Sequence, residues 1–201
     1  MRWLYTLGDR LPLLMPYVAS ERMSLHLRDL RRYVRNDDGI AEHTRQLFKM
    51  LLQAAAESHR PILVIAHSMG SVIAYDSLWQ MSHNRDDGLH VDLLLTMGSP
   101  LGQSYIQKRI KGHTKTGTQR YPTNIRRWVN LSAVGDLTAI DPKLRNDFNE
   151  MVVAELIEDL QDVEVLNHFR LDGKLNVHSE YGYLVNEQTA RIVTEWWRMQ
   201  R

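Results

Sequence analysis

The sequence predicts an α/β fold, a mostly parallel sheet with helices on both faces. Short aliphatic runs alternate along the chain with longer segments in which apolar residues recur at helical spacing. The runs are almost continuously apolar, as is typical of parallel strands that are buried on both faces. No change of composition divides the 201 residues, of which 43% are hydrophobic and 24% charged. One domain covering residues 1–201 is therefore expected.

Four aliphatic runs are predicted to be the strands. They are residues 62–65, 91–100, 125–136 and 163–171. Gly98 and Pro100 end the second run, and Gly135 ends the third. Glycine and proline are common where strands stop, so these residues support the assignment.

Helical spacing occurs between and after the strands. The predicted helices are residues 40–57, a segment that follows residue 68, residues 142–160 and a last helix starting near residue 186. In the first of them, Leu47, Phe48, Leu51 and Ala55 are predicted to share one apolar face after the capping cluster 36–39.

The helix at residues 142–160 and the last helix carry their own signals. Asp141 is expected to cap the former, with Pro142 as its first residue. The last helix presents apolar side chains at positions 192, 193, 196 and 197. The helical pattern thus continues to the end of the chain.

The segment AHSMG places Ser68 between the first strand and the helix that follows it. Small residues at positions 66 and 70 allow a sharp bend there, which lifts the serine hydroxyl off the sheet. The same bend directs the backbone N–H of Met69 toward the reacting group, as an oxyanion-hole donor. Ser68 is then an exposed nucleophile. The alternative is that Ser68 only caps the helix.

A serine nucleophile needs a base, and the base needs an acid that orients it. In parallel-sheet hydrolases these residues follow in the order Ser, Asp or Glu, His. Asp136 ends the third strand, and His178 follows the fourth in an irregular stretch that is predicted to be exposed. Asp141 and His168 remain alternatives for these two roles. His67 is expected to pack or hydrogen-bond locally.

Several function classes find no support in the sequence. The chain has no cysteine, so disulfides and thiolate chemistry are excluded, and it has no nucleotide-binding motif. The histidine spacing does not suggest a metal site, so neither metal nor cofactor is expected. With a net charge of +1, no nucleic-acid partner is expected. No apolar run is long enough to span a membrane, and a cytoplasmic location is predicted.

Residues 103–124 form a basic stretch without strong periodicity. We expect a long loop that lies over or beside the site, because loops of this length in a compact domain are often functional. Its charge either forms a solvated surface or faces an anionic group.

Four segments together resemble the α/β-hydrolase superfamily, especially its lipase-like and esterase-like members. They are AHSMG, TMGSPLG, WVNLSAVGD and HSEYGYL, in this order. The resemblance covers roughly residue 62 to the end of the chain. It implies a triad of Ser68, Asp136 and His178 that cleaves an ester or related acyl bond of a small molecule or lipid through an acyl-enzyme.

The departure from this family lies upstream of Ser68. Members usually carry an earlier strand with a glycine-containing loop that completes the oxyanion hole, but only Gly8 and Gly39 precede Ser68. The expectation is a hydrolase that is incomplete at its N-terminus, or one that covers an exposed sheet edge by self-association. Acyl transfer and a non-catalytic domain that binds a lipid or protein partner remain alternatives.

Overall fold

The computed structural model describes residues 21–84 and 88–200. Its helices are α1 (Glu21–Arg35), α2 (Ile40–Ala56), α3 (Met69–Asn84), α4 (Ser104–Gln107), α5 (Leu144–Val153), α6 (Glu180–Leu184) and α7 (Glu187–Met199). Its strands are β1 (Leu63–His67), β2 (Val91–Met97), β3 (Ile125–Ala133), β4 (Asp159–Val165), β5 (Arg170–Leu171) and β6 (Lys174–Leu175). Residues 1–20, which include Gly8, lie outside the described part.

Strands β1 to β4 form one parallel sheet in the order β1-β2-β3-β4. The register places Leu94 of β2 between Val64 of β1 and Trp128 of β3. Neighbouring parallel strands require a crossover connection, and helix α3 lies in the connection between β1 and β2. The predicted α/β fold with a parallel sheet is confirmed.

Apolar side chains of the strands alternate between the two faces of the sheet. Leu94 points into a cluster that includes Phe148 of α5 and residues of α1, α2 and α3. Its neighbour Leu95 points into a second cluster, which includes Trp196 of α7. Helices therefore cover both faces, as predicted.

A buried polar cluster ties α1 and α2 to α3, the helix that follows Ser68. Tyr33 of α1 donates a hydrogen bond to Oδ2 of Asp76 in α3 (2.9 Å), and Nη1 of Arg45 lies 3.8 Å from the same oxygen. The backbone N–H of Lys111 donates to Oδ1 (2.7 Å). A buried carboxylate needs such partners. The cluster anchors α3 against both helices and the segment that follows β2.

Strand β1 lies at one edge of the sheet within the described part of the chain. There it pairs with β2 on one side and with no strand on the other. The side chain of Ile65, in the middle of β1, is 42% exposed. The strand that leads to Ser68 thus presents an apolar residue at this edge.

The fourth predicted strand, residues 163–171, was wrong in its bounds. The sheet strand β4 begins at Asp159 and ends at Val165, whereas β5 pairs antiparallel with β6 outside the sheet. Beyond Val165, the backbone N–H of Phe169 donates to the side chain of Asn167 (3.0 Å) and not to a neighbouring strand. This local bond ends the extended run.

The helix predicted for residues 142–160 is shorter, because α5 ends at Val153. Glu155 has a φ of 55°, a left-handed conformation in which the α-helix cannot continue. Leu160 is fully buried, but it is buried from β4. The spacing of four residues between Leu156 and Leu160 imitated one more helical turn.

The prediction that Asp141 caps this helix was also wrong. Lys143 is the N-cap residue, and its side chain makes no capping bond. The carboxylate of Asp162, from β4, accepts the backbone N–H groups of Leu144 (3.0 Å) and Arg145 (2.9 Å). The capping side chain comes from a strand, 18 residues after the first residue of the helix, so local sequence patterns do not predict it.

Helix α2 has nearly the predicted bounds, but of its predicted apolar face only Phe48 packs against the core. Leu47 and Leu51 were predicted on its apolar face and are 48% and 73% exposed, whereas Leu52 is 4% exposed. The buried face includes Arg45, which forms an ion pair with Asp76. This buried pair fixes the rotation of the helix.

Helix α7 starts at Glu187, as predicted. The side chain of Asn186 caps it by accepting the N–H of Gln188 (2.9 Å). Trp196 is buried, but Trp197 is 55% exposed. No helix within residues 21–84 and 88–200 combines the length and apolarity needed to cross a bilayer.

The basic stretch 103–124 contains α4 and a 3-10 helix, Gly117–Arg120. Near its start, the side chain of Gln103 donates to the carbonyl of Thr138 (2.7 Å), two residues after Asp136. Its later part runs along α3, where Trp79 donates to the carbonyl of Gln119 (3.1 Å). Only the start of the stretch therefore lies beside Asp136.

Candidate active site

The chain turns sharply at Ser68, between β1 and α3. Ser68 has a φ of 55°, a conformation that costs energy for any residue except glycine. Its N–H donates to the carbonyl of Met97 in β2 (2.9 Å), and its carbonyl accepts the N–H of Ser71 (3.0 Å). Strand pairing thus ends, and the helix begins, at the same residue.

Ser68, His178 and Asp136 are joined by two hydrogen bonds. Nε2 of His178 lies 3.0 Å from Oγ of Ser68, and Nδ1 of His178 lies 2.9 Å from Oδ2 of Asp136. Ser68 follows β1, Asp136 follows β3, and His178 precedes α6. The carboxyl ends of parallel strands meet at one edge of a sheet. Residues 110 positions apart in the chain are in contact there.

These three side chains are largely buried. The exposed fraction is 9% for Ser68, 6% for His178 and 5% for Asp136. The expectation that Ser68 and His178 are exposed was therefore wrong. The ring of His178 packs at 4.6 Å from the ring of His67. Hydrogen bonds between ionisable groups are stronger in such an environment than in water.

The carboxyl group of Asp136 is held in its ionised form. Burial raises its pKa, but hydrogen bonds from His178, Tyr183 and the backbone N–H of Thr138 outweigh burial and lower the pKa below its ordinary value. The Thr138 N–H donates to Oδ1 at 2.9 Å, and the Tyr183 hydroxyl donates to Oδ2 at 2.7 Å. Sequence reasoning missed Tyr183, although it lies in the segment HSEYGYL.

Asn167 holds the loop that carries His178. Its side-chain amide donates to the carbonyl of Val177 (2.9 Å) and to the carbonyl of Ser179 (3.0 Å), the residues on either side of His178. Asn167 is 3% exposed. A buried side chain that bonds both neighbours of His178 fixes the position of its backbone.

Ser71 and Ser99 support the turn at Ser68. The Ser71 hydroxyl donates to the carbonyl of Ser68 (2.6 Å), and the two hydroxyl oxygens of Ser71 and Ser99 lie 2.7 Å apart. Ser99 in turn accepts the N–H of Leu101 (3.2 Å). The segment after β2 therefore braces the strained turn.

The backbone N–H of Met69, the predicted oxyanion donor, is the first in helix α3. The first N–H groups of a helix have no partner within it, and the helix dipole favours negative charge at this end. The structure describes no strand among residues 21–62. The second donor that family members take from an upstream strand is thus not found in that range.

His67 packs against His178, as expected for a local structural role. Burial, and then the nearby charge of His178, lower the pKa of His67 to about 4. His67 is therefore a neutral neighbour of the three residues at pH 7.

The alternatives Asp141 and His168 have other surroundings. Asp141 accepts the backbone N–H of Lys143 (3.3 Å), and its backbone contacts Gly102. His168 is exposed and borders a cavity of about 640 Å³ together with Phe169 and Val185. In the described ranges no three histidine or acidic side chains are grouped as a metal site would require.

Residues 31–108 match a protein family described as an alpha/beta hydrolase of unknown function (DUF900). The matched part includes Ser68 but neither Asp136 nor His178. No curated protein and no solved structure matches the chain. The match and the parallel sheet confirm the resemblance to the α/β-hydrolase superfamily.

Proposed function

We propose that this protein is a serine hydrolase that cleaves an ester or related acyl bond of a small molecule or lipid through an acyl-enzyme. The observation that carries the proposal is the hydrogen-bonded series from Ser68 through His178 to Asp136. A strained turn before a helix, in a fold of the α/β-hydrolase type, supports the same role for Ser68.

In this mechanism His178 accepts the hydroxyl proton of Ser68 at Nε2 while Oγ attacks the acyl carbon. Asp136 holds the proton on Nδ1 and stabilises the imidazolium that forms. The N–H of Met69 stabilises the negative charge on the carbonyl oxygen. As the intermediate collapses, His178 gives the proton to the leaving alcohol.

A water molecule then repeats the sequence on the acyl-enzyme. His178 removes a proton from this water, which attacks the acyl carbon, and the same proton returns to Oγ of Ser68 when the acid leaves. The burial of the three side chains limits the number of water molecules that compete for these hydrogen bonds. No metal or cofactor takes part in these steps.

The experiment combines activity with covalent labelling. Wild-type protein is assayed with p-nitrophenyl esters and treated with a fluorophosphonate, and the labelled residue is identified by mass spectrometry. Ser68→Ala should lose labelling and lower hydrolysis more than about 10³-fold. Ser82→Ala, a serine farther along α3, is the control and should behave as wild type.

Two outcomes would overturn the proposal. One is labelling or more than a tenth of the activity in Ser68→Ala. The other is a wild-type protein that is neither labelled nor active, which favours the non-catalytic alternative. The observation behind that alternative is that no strand is described in residues 21–62 to carry the loop from which family members take a second donor.

A further inference from the structure

The hydroxyl group of Tyr183 lies between a backbone N–H and the carboxylate of Asp136. It accepts the N–H of Ala133 (2.8 Å) and donates to Oδ2 of Asp136 (2.7 Å). The backbone N–H can only donate, and an ionised carboxylate can only accept. The proton of the phenol is therefore directed at Asp136. Tyr183 has no exposed surface.

Both oxygens of the Asp136 carboxylate accept hydrogen bonds. Oδ2 binds both the Tyr183 hydroxyl and Nδ1 of His178 (2.9 Å), and Oδ1 binds the N–H of Thr138 (2.9 Å). The backbone N–H fixes one oxygen. Tyr183 is the side chain that fixes the other, which is the oxygen facing His178.

We propose that Tyr183 is a positioning residue that acts through Asp136. It holds Oδ2 in the orientation that binds Nδ1 of His178, and it takes up part of the carboxylate charge. This inference rests on the proposed function, because the positioned pair is the base and its acid.

Two roles of Tyr183 predict different results. If Tyr183 only filled space, loss of its hydroxyl would change stability alone. If it donates to the carboxylate, its loss leaves more charge on Oδ2, and the pair of His178 and Asp136 then binds a proton more readily. The acidic limb of the activity profile would move to higher pH.

The test variant is Tyr183→Phe, which removes the hydroxyl and keeps the ring. Its matched control is Tyr121→Phe, because Tyr121 is 2% exposed and donates to the carboxylate of Glu150 (2.8 Å) in another part of the fold. Two further titratable groups near the pair, His67 and Glu180, stay in place in both variants.

Tyr183→Phe should lower kcat about tenfold or more, with KM changed less than twofold. The acidic limb of kcat/KM should move up by about half a pH unit, the size expected for one hydrogen bond. The imidazole resonances of His178, followed by NMR, should titrate with the same upward shift. Tyr121→Phe should change neither the limb nor the titration.

The NMR titration separates this inference from the proposed function. If the protein hydrolyses no ester, the proposed function fails, and the titration of His178 still decides on Tyr183. Unchanged kcat together with an unchanged titration in Tyr183→Phe would overturn the inference. An equal shift in Tyr121→Phe would also overturn it.

A second variant covers the case in which Tyr183→Phe does not fold. Replacement of Tyr183 by 3-fluorotyrosine keeps the ring and the hydroxyl but makes the hydroxyl a stronger donor. The acidic limb of kcat/KM and the NMR titration of His178 should then both move to lower pH. A shift to higher pH, or no shift, would contradict a donating role.

Discussion

A β-carbon on Gly98 would lie 2.8 Å from Oδ2 of Asp136. It would also lie 3.1 Å from Nδ1 of His178. Gly98 follows β2 and has a φ of 55°, which side-chain-bearing residues rarely adopt. The glycine therefore makes room for the hydrogen bond between Asp136 and His178.

Gly98→Ala should lower kcat/KM at least about 100-fold, because the new methyl group displaces the carboxylate from the imidazole. Gly135→Ala is the matched control. Gly135 also has a positive φ, 84°, and precedes Asp136, but a β-carbon there meets no atom within 4 Å. The control should lose stability, by about 1 kcal/mol, and keep most of its activity. Equal losses of activity in both variants would contradict this reasoning.

The two acid candidates are separated by Asp136→Asn and Asp141→Asn. Asp136→Asn should lower kcat about 10³-fold or more, since an amide at this place favours the wrong tautomer of His178. Asp141→Asn should stay within about threefold of wild type, because Asp141 accepts the backbone N–H of Lys143 (3.3 Å). Steady-state kinetics on one ester decides. If Asp141→Asn lost more activity than Asp136→Asn, Asp141 would be the acid that orients His178.

The sequence was sufficient to find the turn at Ser68 because its signal is local. An aliphatic strand, a small-residue bend and a helical pattern follow one another within residues 62–79. Asp136 and His178 were predicted as its partners from chain order and strand ends. Gly98 was predicted to end a strand, but only the three-dimensional structure shows that it lies beside Asp136.

The residues that sequence reasoning missed act over long separations. Tyr183 bonds Asp136 across 47 positions, and Asn167 bonds Ser179 across 12. The predicted apolar face of α2 was wrong for the same reason. Arg45 forms a buried ion pair with Asp76 of α3, and this contact turns the side of α2 that carries Arg45 toward the core. Periodicity describes one element at a time, whereas these bonds join different elements.

Asn167→Ala should lower kcat about tenfold, because the loop that carries His178 loses two hydrogen bonds. The carbonyl of Val177 would lose its bond to the amide, at a cost of about 1 to 3 kcal/mol in stability if it stays buried, whereas the carbonyl of Ser179 keeps the N–H of Tyr183 (3.3 Å). His168→Ala, at the neighbouring exposed position, should have nearly the kcat and the stability of wild type. If His168→Ala is the inactive variant, His168 is the base.

The low pKa of His67 predicts a pH-dependent stability. Its folded value of about 4 lies below its ordinary value of 6.5, so between these values the unfolded chain binds the proton more readily. Stability should fall as the pH falls from 6.5 toward 4. The contribution of His67 between pH 7.5 and 5 is about 2 kcal/mol at most.

Urea unfolding of His67→Gln at pH 7.5 and pH 5 measures this contribution. The variant should lose less stability on acidification than wild type does. His90→Gln, at an exposed position, is the control and should follow wild type. Identical pH dependence of wild type and His67→Gln would rule out this account of His67.

Finally, the edge of β1 predicts self-association. Within the described residues β1 pairs with β2 alone, and the exposed side chain of Ile65 lies in its middle. An unpaired apolar edge is a template for a second strand, and antiparallel pairing of two β1 edges would satisfy its free backbone groups.

Sedimentation between about 1 and 100 μM should show a dimer. Ile65→Lys should shift the protein to monomer, whereas Leu51→Lys, at an exposed apolar position of α2, should not. A wild-type monomer at every concentration would contradict the prediction.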